Sequence, residues 1–396
     1  MVPELREEFN RNYTPQKYQA FLDSLAKVCG TPIAFRVSET PCFLPKALLD
    51  QMVQYGRELV MQLLTNPKYL RMSDKTVPPD YSVPNETPRP MFVQVDFGLV
   101  RNAKGGLDPK LVELQAFPSL YGYQGVSAQQ YIDSYGLRRD LGIYLGGFDH
   151  DSYLKLLREL IVAGHDPETV ILMETDPLHQ KTLPDFLLTQ KQLDIAIVDI
   201  LSLKKRGRKL YYTKDGREIE VRRIYNRCIV DELEQKDVKL PFDIREELDV
   251  EWAGHPNWYF RISKFSIPYL NHRCVPNTWF LDENPSVPDD NQNYILKPLY
   301  SFAGSGIKFA PTEADIEAIP AGERHNYIVQ ERMRFEPVIV TPHGMTQMEI
   351  RIMYVWPEGG ELTAVLPLVR MGRGMMMGVD HNRELQWVGG SVGLWV

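Results

Sequence analysis

The sequence predicts a mixed α+β and α/β protein of two or three domains, and three observations lead to that prediction. At 396 residues the chain is too long for one ordinary hydrophobic core. Residues 151–260 alternate short apolar strands with helical patterns, which is typical of a mainly parallel sheet. Residues 91–116 contain two strand patterns joined by an Ala-Lys-Gly-Gly turn, which predicts a β-hairpin.

The N-terminal segment, residues 1–75, is expected to be helical. Residues 18–28 and 45–64 place apolar side chains at helical spacing, and Pro45 suits the first turn of the second helix. Five prolines between residues 76 and 90 then exclude regular secondary structure. We therefore interpret that stretch as a connector.

The predicted hairpin carries a candidate metal site. Period-two alternation puts Glu113 and Gln115 on one face of its second strand, and Asp96 on the first strand could join them. Three converging oxygen-bearing side chains suit a hard divalent cation. A solvent-exposed polar face explains the same pattern, so both interpretations stay open at this point.

Residues 294–309 predict a strand, a lysine at its end, a small-residue loop and a second strand. Backbone N–H groups of such a loop can approach phosphate oxygens closely, and the ammonium group of Lys297 would neutralise them. Lys264, upstream, becomes a second candidate cation if it faces the same phosphates. A tight surface turn and a surface lysine are the simpler alternatives.

Two later strands add polar candidates. Residues 328–333 are predicted to form an apolar strand that leads into the pair Gln330-Glu331. This pair could form a hinge whose backbone N–H and C=O groups hydrogen-bond to the edge of an adenine. Glu349 and Arg351 share a strand face, and Arg370 follows on the next strand. Such arginines could hold a carboxylate or stabilise a transferred phosphoryl group. An amphipathic strand end and a salt-bridged strand pair remain as alternatives.

Composition limits the classes of partner. The net charge of −7 argues against a nucleic-acid binder. The four cysteines are scattered without a Cys-x-x-Cys pair, so a zinc site or disulfide framework is not expected, and a reduced compartment is. The polar N-terminus does not resemble a signal peptide, and no apolar run approaches the roughly 20 residues of a membrane span. We expect a cytoplasmic protein with no nucleic-acid or membrane partner, and leave its oligomeric state open.

The order of these motifs resembles the ATP-grasp superfamily. Lys264, the Lys297 loop, Gln330-Glu331 and then Glu349-Ile-Arg351 follow one another as in that superfamily. The acidic strand of residues 111–115 comes first here, whereas it comes last in ordinary ATP-grasp enzymes. That order is similar to the circularly permuted ATP-grasp group, which includes the synthetase part of glutathionylspermidine synthase. The resemblance covers residues 90–396 and leaves the N-terminal helices outside.

The resemblance implies a circularly permuted ATP-grasp fold with a Rossmann-like pre-grasp domain. Its parts would be an N-terminal helical segment (1–75), the metal-binding hairpin of the core (90–150), a pre-grasp-like α/β domain (151–260), a lid subdomain (261–345), and core strands with a Gly-rich C-terminal tail (346–396).

The resemblance also implies a role for each candidate residue. Lys264 and Lys297 would contact ATP phosphates; Ser301, Gly304 and Gly306 would belong to the lid loop; Gln330, Glu331 and Met333 would frame the adenine; Asp96, Glu113 and Gln115 would bind Mg²⁺; and Arg351 and Arg370 would face the γ-phosphate or an acyl phosphate.

The implied activity is an ATP- and Mg²⁺-dependent ligase that joins a small-molecule carboxylate to an amine through an acyl phosphate. The acidic net charge would suit a cationic amine. Two departures bear on this: Gln94 stands where the group has an arginine, and Gln115 where it has an asparagine. An ATP-binding module without ligase chemistry is therefore one alternative, and a phosphotransferase acting on a hydroxyl is another.

Overall fold

The computed structural model describes residues 1–235, 238–300, 306–374, 377, 382 and 384–396, apart from the side chains of residues 231, 232 and 235. The helices are α1 Pro3–Asn12, α2 Pro15–Cys29, α3 Lys46–Leu64, α4 Pro67–Ser73, α5 Gln124–Tyr135, α6 His150–Ile161, α7 Leu183–Leu193, α8 Val230–Gln235, α9 Asn257–Arg261 and α10 Glu313–Glu317.

The strands form four sheets. In chain order they are β1 Cys42–Leu44, β2 Phe92–Arg101, β3 Leu107–Gln115, β4 Val170–Glu174, β5 Ala196–Asp199, β6 Lys204–Arg206, β7 Lys209–Lys214, β8 Arg217–Val221, β9 Arg223–Asn226, β10 Glu251–Ala253, β11 Thr278–Phe280, β12 Tyr294–Pro298, β13 Lys308–Phe309, β14 Tyr327–Glu331, β15 Ile339–Thr341, β16 Gly344–Val355, β17 Thr363–Gly372 and β18 Gly389–Trp395.

The largest sheet has seven strands in the order β1-β18-β17-β16-β2-β3, with β15 paired to β16. Its neighbours are antiparallel except β1 and β18, which run parallel. Helix α3 packs closely on this sheet, because Gly56 leaves room for the ring of Tyr354. A Cβ at Gly56 would lie 2.2 Å from the Tyr354 hydroxyl oxygen, which donates to the Val53 carbonyl at 2.8 Å.

A second sheet, β10-β9-β4-β5, is parallel throughout and lies entirely within residues 151–260. All five residues of β4 are buried, as is typical of a parallel strand covered on both faces. Helix α6 precedes β4, and helix α7 lies between β4 and β5, as the alternating pattern of this region predicts. The parallel sheet predicted for this region is therefore present.

The two smaller sheets are antiparallel. Strands β6, β7 and β8 form one of them. Strands β7 and β8 are joined by a turn in which Asp215 (φ 49°) and Gly216 (φ 75°) have the positive φ values of a tight hairpin. The other has the order β11-β14-β12-β13. Its pair β12–β13 confirms the strand, loop and strand predicted around Lys297.

The N-terminal segment is helical as predicted, but it also supplies a strand. Thr14 caps α2 by accepting from the Lys17 amide, and Gly30 (φ 76°) ends it. The sequence prediction missed β1, which joins the central sheet beside β18. It also missed β18 itself, in a tail expected to be only Gly-rich. Among the described residues, no helix is long and apolar enough to cross a membrane.

Candidate active site

A cavity of about 660 Å³ lies between the seven-stranded sheet and the β11–β14 sheet. Strands β3, β16 and β17 of the seven-stranded sheet line one side of the cavity. Strands β12 and β13 of the other sheet line the opposite side. The charged or polar side chains that line the cavity include six from five segments of the chain: Glu113, Gln115, Lys264, Lys297, Glu349 and Arg370. Five of these were predicted site residues, and Glu349 was noted only as a neighbour of Arg351.

One part of the cavity wall is apolar. It is lined by Ile295, Ile307, Phe309, Met333 and Phe335. The guanidinium of Arg332 lies over the Phe309 ring, 5.2 Å from its centroid. A slot with aromatic and aliphatic walls beside a charged region suits a ligand that has a flat apolar part and a polar part.

Lys297 is the buried cation of the cavity. Its Nζ donates to Gln330 Oε1 at 2.7 Å, and Gln330 Nε2 in turn donates to Thr278 Oγ1 at 3.2 Å. Desolvation lowers the pKa of Lys297 to about 8, with Glu113 acting in the opposite direction and Lys264 adding to the decrease. Lys264 Nζ donates to the Pro298 carbonyl at 3.5 Å, so the two lysines are held near the same strand end.

Gln330 and Glu331 lie outside the cavity wall, whereas Met333 lies on it. Strand β14 is paired on both sides, with β11 and with β12, so the backbone around Gln330 is used within the sheet. Glu331 is exposed, and its carboxylate accepts from the Asn277 amide at 3.3 Å. Of the three predicted adenine contacts, Met333 is the one that lines the cavity.

Asp96 is the centre of a buried charge network on the large sheet. Arg351 grips it with two hydrogen bonds, from Nε to Oδ1 at 2.6 Å and from Nη2 to Oδ2 at 2.7 Å. Arg370 also donates to Oδ2 of Asp96, and it pairs with Glu349 at 2.7 Å. Burial would raise the pKa of Asp96, but Arg351 and then Arg370 outweigh burial and hold it below the usual value.

The two glutamines that depart from the family pattern take part in the same network. Gln94 is buried and accepts from Arg351 Nη1 at 2.8 Å. The Gln115 amide lies against Gln94 Oε1, 3.0 Å away. With its oxygen facing Arg351, Gln115 accepts from that guanidinium at 2.8 and 2.5 Å. Gln94 and Gln115 are therefore neutral partners of Arg351.

The predicted magnesium ligands do not form a ready ligand set in this arrangement. Both Asp96 oxygens already accept from arginine, and Gln115 is engaged with Arg351. Glu113 lies 3.9 Å from Arg351 Nη2 and faces the cavity. In the described ranges, no cluster of three His, Cys, Asp or Glu side chains could hold a metal ion.

Glu349 gives the site a pH-dependent stability. Burial raises its pKa to about 7, with Arg370 opposing this and Asp96 adding to it. Because the folded pKa exceeds the unfolded value of 4.5, Glu349 stabilises the fold below about pH 4.5, and this contribution is lost as the pH rises through about 7. Glu349→Gln should remove a fall in unfolding free energy on the order of 2–3 kcal/mol across that interval.

Urea unfolding at a series of pH values measures this effect. Glu361→Gln is the control, because Glu361 is exposed and its partner Arg57 is 3.7 Å away. A Glu349→Gln profile parallel to that of the wild type between pH 4.5 and 7 would show that Glu349 does not titrate in this way.

The predicted lid loop falls mostly outside the described residues. Ser301 and Gly304 lie outside the described residues. Gly306 is described, with φ 73°, a value that favours glycine, and its Cα faces Pro298 so closely that a Cβ would lie 3.0 Å from that ring. The predicted phosphate contacts of this loop stay predictions.

Sequence reasoning missed several residues of the cavity wall. Arg373 lies just beyond the end of β17, three positions after Arg370. Gln347, on β16, lies opposite Gly372, on β17. Phe309 and Tyr259 also line the cavity. The signal for Arg373 was its spacing from Arg370 at the end of a strand. Nothing in the local sequence distinguishes Tyr259 from the neighbouring aromatic residues Trp258 and Phe260.

No protein-family model and no curated protein matches this sequence. Its structure, however, is similar to the solved apo structure of a glutathione synthetase-like effector, GSS30, from Globodera pallida. This chain has a glutathione synthetase-like fold. The likeness has a TM-score of 0.62, covers 97% of this chain and 98% of that one, and comes with 13% sequence identity.

The extent of this likeness corrects one expectation. The sequence resemblance began at about residue 90 and left the N-terminal helices outside, but the glutathione synthetase-like fold covers nearly the whole chain. The physical reason is that β1 is a strand of the central sheet and α3 packs against it. The N-terminal segment is therefore part of this fold and not a separate addition.

Proposed function

We propose that this protein binds ATP in the cavity between the seven-stranded sheet and the β11–β14 sheet, and uses it to join a carboxylate to an amine. The observation that carries the proposal is the combination, in one cavity, of an apolar slot and two buried or partly buried lysines, Lys264 and Lys297. The glutathione synthetase-like fold and the sequence resemblance to the ATP-grasp superfamily support it. The acidic hairpin precedes the lid in the chain, and we propose that this order is the circular permutation of the ATP-grasp fold.

In this proposal the adenine occupies the slot formed by Ile295, Phe309 and Met333, and the phosphates extend toward Lys264 and Lys297. The lysines neutralise phosphate charge, and their burial strengthens that interaction. Arg370, fixed by Asp96 and Glu349, faces the developing charge of an acyl phosphate. The chain's part in the reaction is thus to position substrates and to stabilise charge.

Magnesium enters the proposal only as the ion that accompanies ATP. Asp96 does not fit as a ligand while two arginines occupy its oxygens, so no step is assigned to a protein-bound metal. Glu113, which faces the cavity, is the carboxylate that would approach such an ion.

A specific observation favours a second function, an ATP-binding module that has no ligase chemistry. Gln94 replaces the arginine expected beside Asp96, and the N–H groups of Arg351 donate to Asp96 and Gln94. The cavity therefore has fewer unneutralised cations on the large sheet than the resemblance implies. Among the described residues, no observation favours the third alternative, a phosphotransferase acting on a hydroxyl.

Two measurements on the purified protein test the proposal. Calorimetric titration with ATP and Mg²⁺ should show saturable binding, and adenosine should bind more weakly because it lacks the phosphates. ADP should then appear when pools of carboxylates and amines are supplied. Binding without ADP formation supports the second function, and absence of ATP binding contradicts both.

A further inference from the structure

We propose that Arg373 forms a second oxyanion-binding subsite in the cavity, separate from the one at Lys264 and Lys297. The proposal rests on the proposed function for the identity of the main ligand, whereas the geometry of Arg373 supports the subsite itself. Arg373 lines the cavity just past the end of β17. It lies three positions after Arg370, which corresponds to roughly 10 Å of extended chain.

Arg373 is held in place by neutral groups. Its Nη1 donates to Thr346 Oγ1 at 3.1 Å, and its Nη2 donates to the Gln386 carbonyl. Its backbone amide donates to Asn382 Oδ1 at 3.1 Å. Thr346 and Asn382 are both buried, so these anchors are part of the packed structure. Within the part of the chain that the structure describes, Arg373 has no carboxylate partner.

The other arginines of this sheet differ in that respect. Arg351 is neutralised by Asp96, and Arg370 by Asp96 and Glu349. A guanidinium fixed by neutral acceptors keeps its full charge and its remaining N–H donors for a ligand. The group that matches a planar fork of donors is an oxyanion, either a carboxylate or a phosphate.

The charge of the cavity points the same way. The described lining of the cavity carries six cations against two carboxylates, Glu113 and Glu349, and Glu349 is already paired with Arg370. The cations are Lys264, Lys297, Arg332, Arg334, Arg370 and Arg373. This excess of positive charge favours an anionic group in the cavity. The oxyanion comes either from the nucleotide's phosphates or from a carboxylate of the second substrate.

Arg373→Gln tests the proposal, with Arg324→Gln as a matched control. Arg324 is similarly exposed and is also held by neutral oxygens, the carbonyls of Ile319 and Ile316, but it lies away from the cavity. The full chain is titrated calorimetrically with ATP, with adenosine, and with glutarate in the presence and absence of saturating ATP. Arg373→Gln should weaken ATP or glutarate about ten- to a hundredfold and leave adenosine unchanged.

The two arms separate the sources of the oxyanion. Weakened ATP binding identifies a nucleotide phosphate, whereas weakened glutarate binding with unchanged ATP identifies the carboxylate of a second substrate. Arg373→Lys, which keeps the charge but loses the fork, should recover part of the affinity. If the wild type fails to bind ATP, the proposed function fails, while glutarate still tests Arg373.

Three results would overturn the subsite. The first is unchanged affinity of Arg373→Gln for both anions. The second is an equal loss in Arg324→Gln. The third is a wild type that binds neither ATP nor glutarate.

Discussion

Lys297→Met should weaken ATP binding by about a hundredfold or more while leaving the protein folded. A buried lysine in contact with phosphate oxygens supplies several charge-assisted hydrogen bonds, each worth about 1.5–3 kcal/mol. Methionine fills a similar volume and removes a desolvated cation, which offsets the cost of leaving Gln330 Oε1 without its donor. Calorimetric titration with ATP, together with urea unfolding, separates the two effects.

Lys308→Met is the matched control for this variant. Lys308 lies on the neighbouring strand β13 but is exposed and pairs with Asp315 at 3.2 Å. Because the pKa of Lys297 is about 8, wild-type ATP affinity should also fall as the pH rises above about 8, and this fall should be absent in Lys297→Met. Equal ATP affinity of the two variants would exclude Lys297 from the phosphate site.

Asp96→Asn should lower the unfolding free energy by about 3–5 kcal/mol, because it leaves two arginines with too few counter-charges in a buried position. Asp96 is fully buried, and both of its oxygens accept from Arg351 and Arg370. Its lowered folded pKa means that its contribution is present above the unfolded pKa near 4 and is lost as the pH falls through the folded value. Urea unfolding measures the loss.

Asp80→Asn provides the comparison for an exposed ion pair. Asp80 pairs with Arg245 at 3.1 Å on the surface, where such pairs contribute about 0–1 kcal/mol. The double variant Asp96→Leu with Arg351→Met should be less destabilised than Asp96→Asn, because no charge is left uncompensated between them. If Asp96→Asn costs no more than Asp80→Asn, the network does not stabilise the fold.

Local patterns predicted those elements whose signal lies within a few residues. Residues 45–64, with their helical spacing, correspond to α3. The alternating residues around Glu113 lie in β3, and the apolar run at 348–355 lies in β16. Strand β1 has only three residues, and β18 begins with two glycines, so neither shows a periodic pattern. Their pairing with each other is decided by contacts across the whole chain.

The sequence predicted individual residues of the cavity but not which side chains pair with one another. Sequence motifs located Lys264, Lys297 and Arg370 in one cavity. They could not show that Arg351 lies across from Asp96, because β2 and β16 are far apart in the sequence and become neighbours only in the folded sheet. The same holds for Arg373, whose role depends on which side chains fail to neutralise it.

The parallel pairing of β1 with β18 has a consequence for how this protein folds during synthesis. The ribosome releases β1 and α3 long before β16, β17 and β18, which complete their sheet. Until then the apolar face of α3 and an open strand edge have no native partner. Contacts of such long sequence separation slow folding, so we expect the nascent chain to depend on chaperone protection until its last strands appear.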